Sequence, residues 1–434
     1  MERGFLIGAA TAAHQVEGNN TNSDCWALEQ MENSDYKEPS LDAADHYNRY
    51  EEDIQLMASA GLNAYRFSIE WARIEPEPGV YDDKEIEHYR SVLECCKTNG
   101  IIPIVTMHHF SSPKWLISQG GWEDERTVEA FATYCRYVVS KLGSLMEYVC
   151  TINEANMGLQ IAAVARDMMS KMGITPQVGV KFEMPKEVLA KKAAEAAVFG
   201  LEAGQSVNTF LSLRSDEGDL LIMRAHEAAR KSMKEECPHL QVGLTLSLFD
   251  IQIQAGGEEA AKKLWEDDFA HYLPYIQNDD FIGIQNYTRK LVNADGALPV
   301  PEGAELTQMG YEFYPEGIGH VIRHVAQQLS IPILVTENGV ATDDDTRRIE
   351  YIKRALAGVK ECVAEGIPVK GYLHWSLLDN FEWQEGYART FGLIAVDRNT
   401  QKRYPKESLF VLGSMGLEED YAAMEDERKS NEKW

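Results

Sequence analysis

Short runs of apolar and β-branched residues alternate with long amphipathic stretches along nearly the whole chain, and nothing else in the sequence constrains the fold as tightly. The runs fall at 5–13, 64–71, 101–109, 148–156, 242–248, 281–287, 333–339 and 369–379. Helical periodicity fills stretches such as 41–60, 83–98, 127–142, 219–236 and 345–365. A strand followed by a helix brings the chain back to the same end of a sheet, so repeated βα units build parallel sheets. Eight of them imply closure, and the expected fold class is α/β, a single (β/α)8 TIM barrel. No linker, low-complexity run or repeat interrupts this plan, so one domain is expected over 1–434. Its charged tail, about 416–434, reads as a solvated, frayed helix. The stretch 155–205 carries no strand signal. It is either a helical excursion over the barrel mouth or a pair of ordinary barrel helices.

Composition narrows the partners. A chain of 434 residues that is 44% hydrophobic and 26% charged supports a large core. Its net charge of −27 disfavours nucleic acid and anionic membrane surfaces, which it would repel. No apolar run approaches the roughly 18 residues of a membrane span. The opening Met1-Glu2-Arg3-Gly4 lacks the basic and apolar regions of a signal peptide. Seven cysteines without framework spacing read as reduced thiols, including the adjacent Cys95 and Cys96. The expected compartment is the cytoplasm, and a homo-oligomer is left open.

Barrels of this type carry their active sites at the C-terminal ends of the strands. Polar residues gather where the apolar runs end: Gln15, Arg66, His108-His109, Asn153-Glu154, Gln285-Asn286-Tyr287, Glu337-Asn338-Gly339 and the segment from Trp375 to Trp383. Two endings present a carboxylate, in Thr151-Ile152-Asn153-Glu154 and Thr336-Glu337-Asn338-Gly339. They belong to the fourth and seventh runs, which lie roughly opposite each other around an eight-stranded ring. Cleavage of a glycosidic bond requires such a pair, one carboxyl to protonate the departing oxygen and one to attack or to direct water. No Gly-rich phosphate loop follows any strand, and His226-Glu227-Ala228-Ala229-Arg230 falls one residue short of a zinc motif. No cofactor and no metal are therefore expected.

The chain resembles glycoside hydrolase family 1, the β-glucosidase and β-galactosidase family. The resemblance rests on Val335-Thr336-Glu337-Asn338-Gly339, on Trp375-Ser376-Leu377-Leu378-Asp379-Asn380-Phe381-Glu382-Trp383 with Gly386-Tyr387 and Phe391-Gly392-Leu393, and on Gln15-Val16-Glu17-Gly18 after the first run. It extends from Phe5 to about Ser408. It implies a retaining β-glycosidase with Glu337 as nucleophile and Glu154 as general acid/base, acting on a small β-glycoside. Gln15, His109, Asn153, Glu382 and Trp383 would hold the sugar hydroxyls, and Trp375 would form the pocket floor. Arg66 and Tyr287 would flank Glu337, and Arg66 would favour its charged form by Coulomb attraction. Burial and like charge would push Glu154 towards its neutral form.

Three departures from the family pattern stand out. Ala155 follows Glu154 where the family has proline, Gln285 stands where Asn precedes paired tyrosines, and His108-His109-Phe110-Ser111 is a loose version of the third motif. His108 and Trp71 are expected to be structural, and Glu17 and Glu70, although at strand ends, are not expected to be catalysts. A non-catalytic sugar-binding relative would be expected to lose a carboxylate, and both are present. Family members acting on 6-phosphorylated sugars usually replace the Glu of Phe-Glu-Trp with a small residue and add a downstream Lys and Tyr. Glu382 is intact and Tyr387-Ala388-Arg389-Thr390 lacks that pattern. Unphosphorylated β-D-glucosides are the expected substrates, with galactosides and fucosides unranked and transfer to alcohols not separated from hydrolysis.

Overall fold

The computed structural model describes residues 4–171 and 185–416. Eight parallel strands close a barrel in chain order: β1 (Leu6–Ala10), β2 (Ala64–Ser68), β3 (Ile102–His108), β4 (Tyr148–Ile152), β5 (Gln241–Ser247), β6 (Phe281–Gln285), β7 (Ile333–Asn338) and β8 (Val369–Trp375), with β8 pairing back onto β1. Neighbouring residues on each strand go to opposite sides. Leu6, Ala64, Ile104, Cys150, Phe281, Leu334 and Leu373 form one apolar cluster, while Ile7, Phe67, Val105, Val149, Ile282, Val335 and Tyr372 join a second, larger one with the surrounding helices. Both faces of the sheet are thus buried. That is why the strands read in sequence as unbroken apolar runs and not as an alternation.

All eight expected runs contain a barrel strand, but several stop early. The run at 148–156 leaves the ladder after Ile152, that at 281–287 after Gln285, that at 369–379 after Trp375, and that at 5–13 after Ala10. Beyond Ile152 the backbone turns: the amides of Glu154 and Ala155 both bond to Thr245, through its hydroxyl and its carbonyl. The residues that terminate the runs are the ones released from sheet geometry to face the barrel mouth.

Helix starts follow their caps. Ser215 accepts from the amide of Gly218, so the helix expected from residue 219 begins earlier and spans Asp216–Glu236. Asp82 and Asp344 cap Asp83–Thr98 and Asp345–Ala364 in the same way. The helix expected from residue 41 begins only at His46, because Leu41, Ala43 and Asp45 all have left-handed backbone (φ 48°, 44° and 51°).

The stretch 155–205 combines both expectations. Helix Met157–Lys171 packs on Asp216–Glu236 and Glu258–Asp268 as part of the barrel wall. Helix Lys186–Val198 packs instead on Asp24–Glu29, in the loop that follows β1. The tail expectation for about 416–434 falls on 417–434, outside the described residues. A three-stranded sheet (Asp250–Ile253, Arg289–Asn293, Gly296–Ala297) and a two-stranded one (Ile394–Val396, Arg403–Pro405) decorate the barrel. All seven cysteines are free. Among the described residues no helix is long and apolar enough to cross a membrane.

Candidate active site

The site is built around a bulge. In the pairing of β6 with β7, Val335 lies opposite Ile284, yet the next pair is Glu337 with Gln285, so Thr336 is the extra residue. This places the Glu337 carboxylate at the strand end, 3% exposed, among three donors. The Arg66 guanidinium and the Gln285 amide reach Oε1 at 2.5 and 2.9 Å, and the Tyr287 hydroxyl reaches Oε2 at 2.6 Å.

Arg66 comes from β2 and is fully buried. It also donates to Thr106 Oγ1 (3.0 Å) and, at 2.6 Å, to Asn153 Oδ1. Gln285 Nε2 donates to the same Asn153 oxygen at 2.7 Å. That oxygen being committed, the Asn153 amide nitrogen faces His109 Nε2 at 3.1 Å, which must accept. His109 is thereby fixed as the neutral tautomer with its proton on Nδ1. Burial, then the Arg66 charge, also hold this imidazole well below its usual pKa.

Glu154 follows Asn153 at the end of β4 with φ of 44°, in the left-handed region that a Glu side chain rarely occupies. Its seat is cut by β5. Thr245 takes the amides of Glu154 (3.0 Å, hydroxyl) and Ala155 (3.1 Å, carbonyl). Asn156 donates to the carbonyls of Ser247 (2.7 Å) and Asp268 (3.0 Å) and accepts from the Ser247 amide (3.0 Å). The bond from the Ala155 amide is one that a proline could not make, so the family's missing proline is replaced here by hydrogen bonding.

The remaining expected residues form one wall. Gln15, in a helical turn after β1, donates to Glu382 Oε2 (3.3 Å) and to the Phe381 carbonyl (2.8 Å). The Trp375 ring stacks on His109 at 5.6 Å, and Trp383 lies parallel to both His109 (6.4 Å) and His14 (5.7 Å).

Electrostatics separate the two strand-end carboxyls. Burial raises both. On Glu337 the Arg66 charge and the hydrogen bonds from Tyr287 and Arg66 oppose it. On Glu154 burial is reinforced by the charge of Glu337, and the hydrogen bond from Ser247 and the more remote Arg66 offset it only in part, so its carboxyl is held well above the usual range. Both carboxyls end above the ordinary carboxylate range, Glu154 well above it, and the cation and donors on Glu337 favour its charged form over that of Glu154. Glu382 is pushed up to about 8 by burial and then by the Glu337 charge.

The structure keeps apart what was expected to be apart. His108 bonds Ser112 (2.9 Å) and packs on Trp122 and Phe210, while Trp71 stacks on Tyr134 in the core. Glu17 pairs with Arg73 and Tyr89, and Glu70 accepts from the Ala72 amide. His226 is buried between Thr151 and Asp279. Two residues of the site, Thr245 and Tyr311, were not singled out in the sequence, and Gln285 was read only as a polar strand ending that departs from the family pattern. Gln285 and Thr245 support the carboxyls from below. Tyr311, 38% exposed, comes from the loop after β6. Its phenol is pushed up to about 12 by burial and then by the charges of Glu382 and Glu154.

A (β/α)8 barrel that buries two carboxyls in contrasting surroundings at facing strand ends, beside an aromatic wall with amide and carboxyl groups, defines a glycoside hydrolase. The family model of glycosyl hydrolase family 1 matches residues 1–188 and 254–416. A 1,4-beta-D-glucan glucohydrolase of Thermotoga neapolitana is 30% identical over 429 residues, covering 93% of this chain and 95% of its own. A 6-phospho-beta-galactosidase of Lacticaseibacillus rhamnosus is 28% identical, covering 94% and 96%. The crystal structure of beta-glycosidase BGL167 superposes with a TM-score of 0.86 at 46% identity, over 94% of this chain and 95% of that one. The chain belongs to glycosyl hydrolase family 1, whose members cleave with retention at the anomeric carbon.

Proposed function

We propose that the enzyme hydrolyses unphosphorylated β-D-glucosides, with Glu337 as nucleophile and Glu154 as general acid/base. The observation that carries this reading is the contrast between their surroundings: three donors converge on Glu337, while Glu154 faces its charge without a cation in contact among the described residues. In the first step Glu337 attacks the anomeric carbon while Glu154 gives its proton to the departing oxygen, and a glycosyl ester forms. In the second Glu154, now ionised, takes a proton from water as that water attacks the same carbon and frees Glu337. Gln15, His109, Asn153, Glu382 and Trp383 hold the sugar hydroxyls over Trp375, and Tyr287 and Arg66 orient the attacking carboxylate.

Relatives with both glucan and phosphogalactoside names leave the sugar to be argued from the pocket. Glu382, held by Gln15, fills the place where the family's phosphosugar enzymes carry a small residue, and no lysine replaces it, so the pocket offers a phosphate neither room nor a cation. Seven free thiols suit a reducing compartment, which favours the cytoplasm, and the charge of −27 argues against a nucleic-acid partner. We take residues 1–434 as one catalytic domain.

The test is Glu337→Gly assayed on nitrophenyl β-glucoside. Turnover should vanish, and added azide should return it as the α-glycosyl azide, because the small nucleophile enters from the face that the carboxylate vacated. Unaided turnover at the wild-type rate would remove Glu337 from the mechanism.

A further inference from the structure

Gln285 sits at the end of β6, fully buried, opposite Ser247 of β5 and Glu337 of β7. Its amide nitrogen spends both hydrogens on the site, at 2.9 Å from Glu337 Oε1 and 2.7 Å from Asn153 Oδ1, with Thr245 Oγ1 at 3.3 Å. All three neighbours can accept, so the orientation of the amide is settled by chemistry. Its carbonyl oxygen, by contrast, has no hydrogen-bond partner among the described residues and is shut off from solvent. A buried acceptor left unmet is unfavourable, so what holds this side chain in place is the set of bonds from its amide nitrogen.

The family resemblance puts Asn at this position, one methylene shorter. From a Cα held in register with Glu337 by the bulge at Thr336, the longer arm lets one NH2 group span the gap between the Glu337 carboxylate and the Asn153 amide. Two consequences follow. Glu337 Oε1 is pinned by Arg66 and Gln285 together and cannot rotate away from the pocket. Asn153 cannot flip, because its oxygen is held by Arg66 and Gln285, so its NH2 always faces His109 and the sugar side. We infer that Gln285 is a positioning residue that couples the aim of Glu337 to the hydrogen-bond polarity of the Asn153–His109 pair. The inference rests on Glu337 being the nucleophile.

The experiment compares kcat/KM for nitrophenyl β-glucoside across pH in the wild type, Gln285→Leu, Gln285→Asn and Gln285→Glu. A donor to a carboxylate stabilises its charged form, so its removal raises the pH below which Glu337 is protonated and inactive. Gln285→Leu should lower kcat/KM roughly 10- to 100-fold and move the acid limb up by about one pH unit. Gln285→Asn keeps a donor on an arm too short to hold both acceptors, and should move the limb by less than Gln285→Leu does. Gln285→Glu has the shape of the native residue but faces Glu337 with a second carboxyl, and should move the limb up further than Gln285→Leu. If Gln285→Leu fails to fold, the isosteric Gln285→Glu decides on the same criterion. An acid limb unchanged from wild type, whatever the loss in rate, overturns the positioning role, since lost packing lowers rates without moving a titration. An unmoved limb beside an inert Glu337→Gly overturns this role alone, whereas unaided turnover by Glu337→Gly overturns the nucleophile reading.

Discussion

Glu154 occupies a left-handed backbone position, is 6% exposed, and is raised by burial and by the charge of Glu337. A carboxyl raised in this way keeps its proton at pH values where an ordinary one is ionised. The first chemical step needs that proton, so kcat/KM should fall as pH rises through the Glu154 pKa, and this alkaline limb should be absent in Glu154→Ala. The same variant should discriminate between leaving groups. Dinitrophenolate departs without help, so its glucoside should still form the glycosyl-enzyme, whereas an alkyl glucoside should lose roughly 10²–10⁴-fold, the worth of a positioned proton donor. Azide, which needs no base, should then restore turnover and yield the β-azide. An α-azide, or no rescue, would remove Glu154 from the acid/base role. At this scale the sequence was informative wherever a motif ends a strand. Asn153, Glu154 and Glu337 stood out as two carboxyl-bearing strand ends, whereas His109 and Trp375 were legible only through the family motif, since His108, Glu17 and Glu70 also end runs and serve the structure. Gln285 was not legible as a support of Glu337, since its reach depends on a bulge that leaves no mark in composition. Tyr311 sits on a loop without periodicity, and nothing local points it at the pocket.

Elements explain how a carboxyl can be held in so unfavourable a turn. Strand β5 supplies Thr245 and Ser247, and Asn156 ties the turn to Ser247 and to the Asp268 carbonyl by three hydrogen bonds. Asn156→Ala would remove three hydrogen bonds in a buried place and leave the Ser247 amide and the Asp268 carbonyl unmet, while the Ser247 carbonyl keeps its bond from Gln160. The cost should be about 3 kcal/mol, at about 1 kcal/mol for each bond. A fall in melting temperature should come with a selective loss on substrates with poor leaving groups, because the acid is misplaced while the nucleophile is not. Equal losses on dinitrophenyl and alkyl glucosides would show that the turn does not position the acid. Strand identity was legible because each strand is buried on both faces, whereas strand ends were read too long. Apolar character continues past Ile152 and Trp375, but the backbone there bonds to neighbours outside ladder register, and hydrophobicity carries no record of that.

Across the whole molecule the net charge of −27 acts on every substrate that approaches. A neutral glucoside should react with a kcat/KM that hardly changes with ionic strength. A 6-phosphoglucoside meets this general field, and whatever slow hydrolysis it shows should rise with salt, as the screening length falls from about 10 Å at 0.1 M to about 3 Å at 1 M. A phosphorylated substrate that is turned over faster than the neutral one would overturn the assignment of an unphosphorylated sugar.

The support beneath Glu154 has one further consequence. Thr245 and Ser247 lie in residues 189–253, the stretch between the two parts of the chain that the family model matches. Both carboxyls, by contrast, fall in matched sequence. Recombination with a relative at those boundaries would hand on the reacting groups without the cradle of one of them, and the hybrid would inherit a working nucleophile with an ill-seated acid. Drift in that stretch is felt first at the turn that seats Glu154 and, through Thr245, which also accepts from Gln285, more faintly at the support of Glu337.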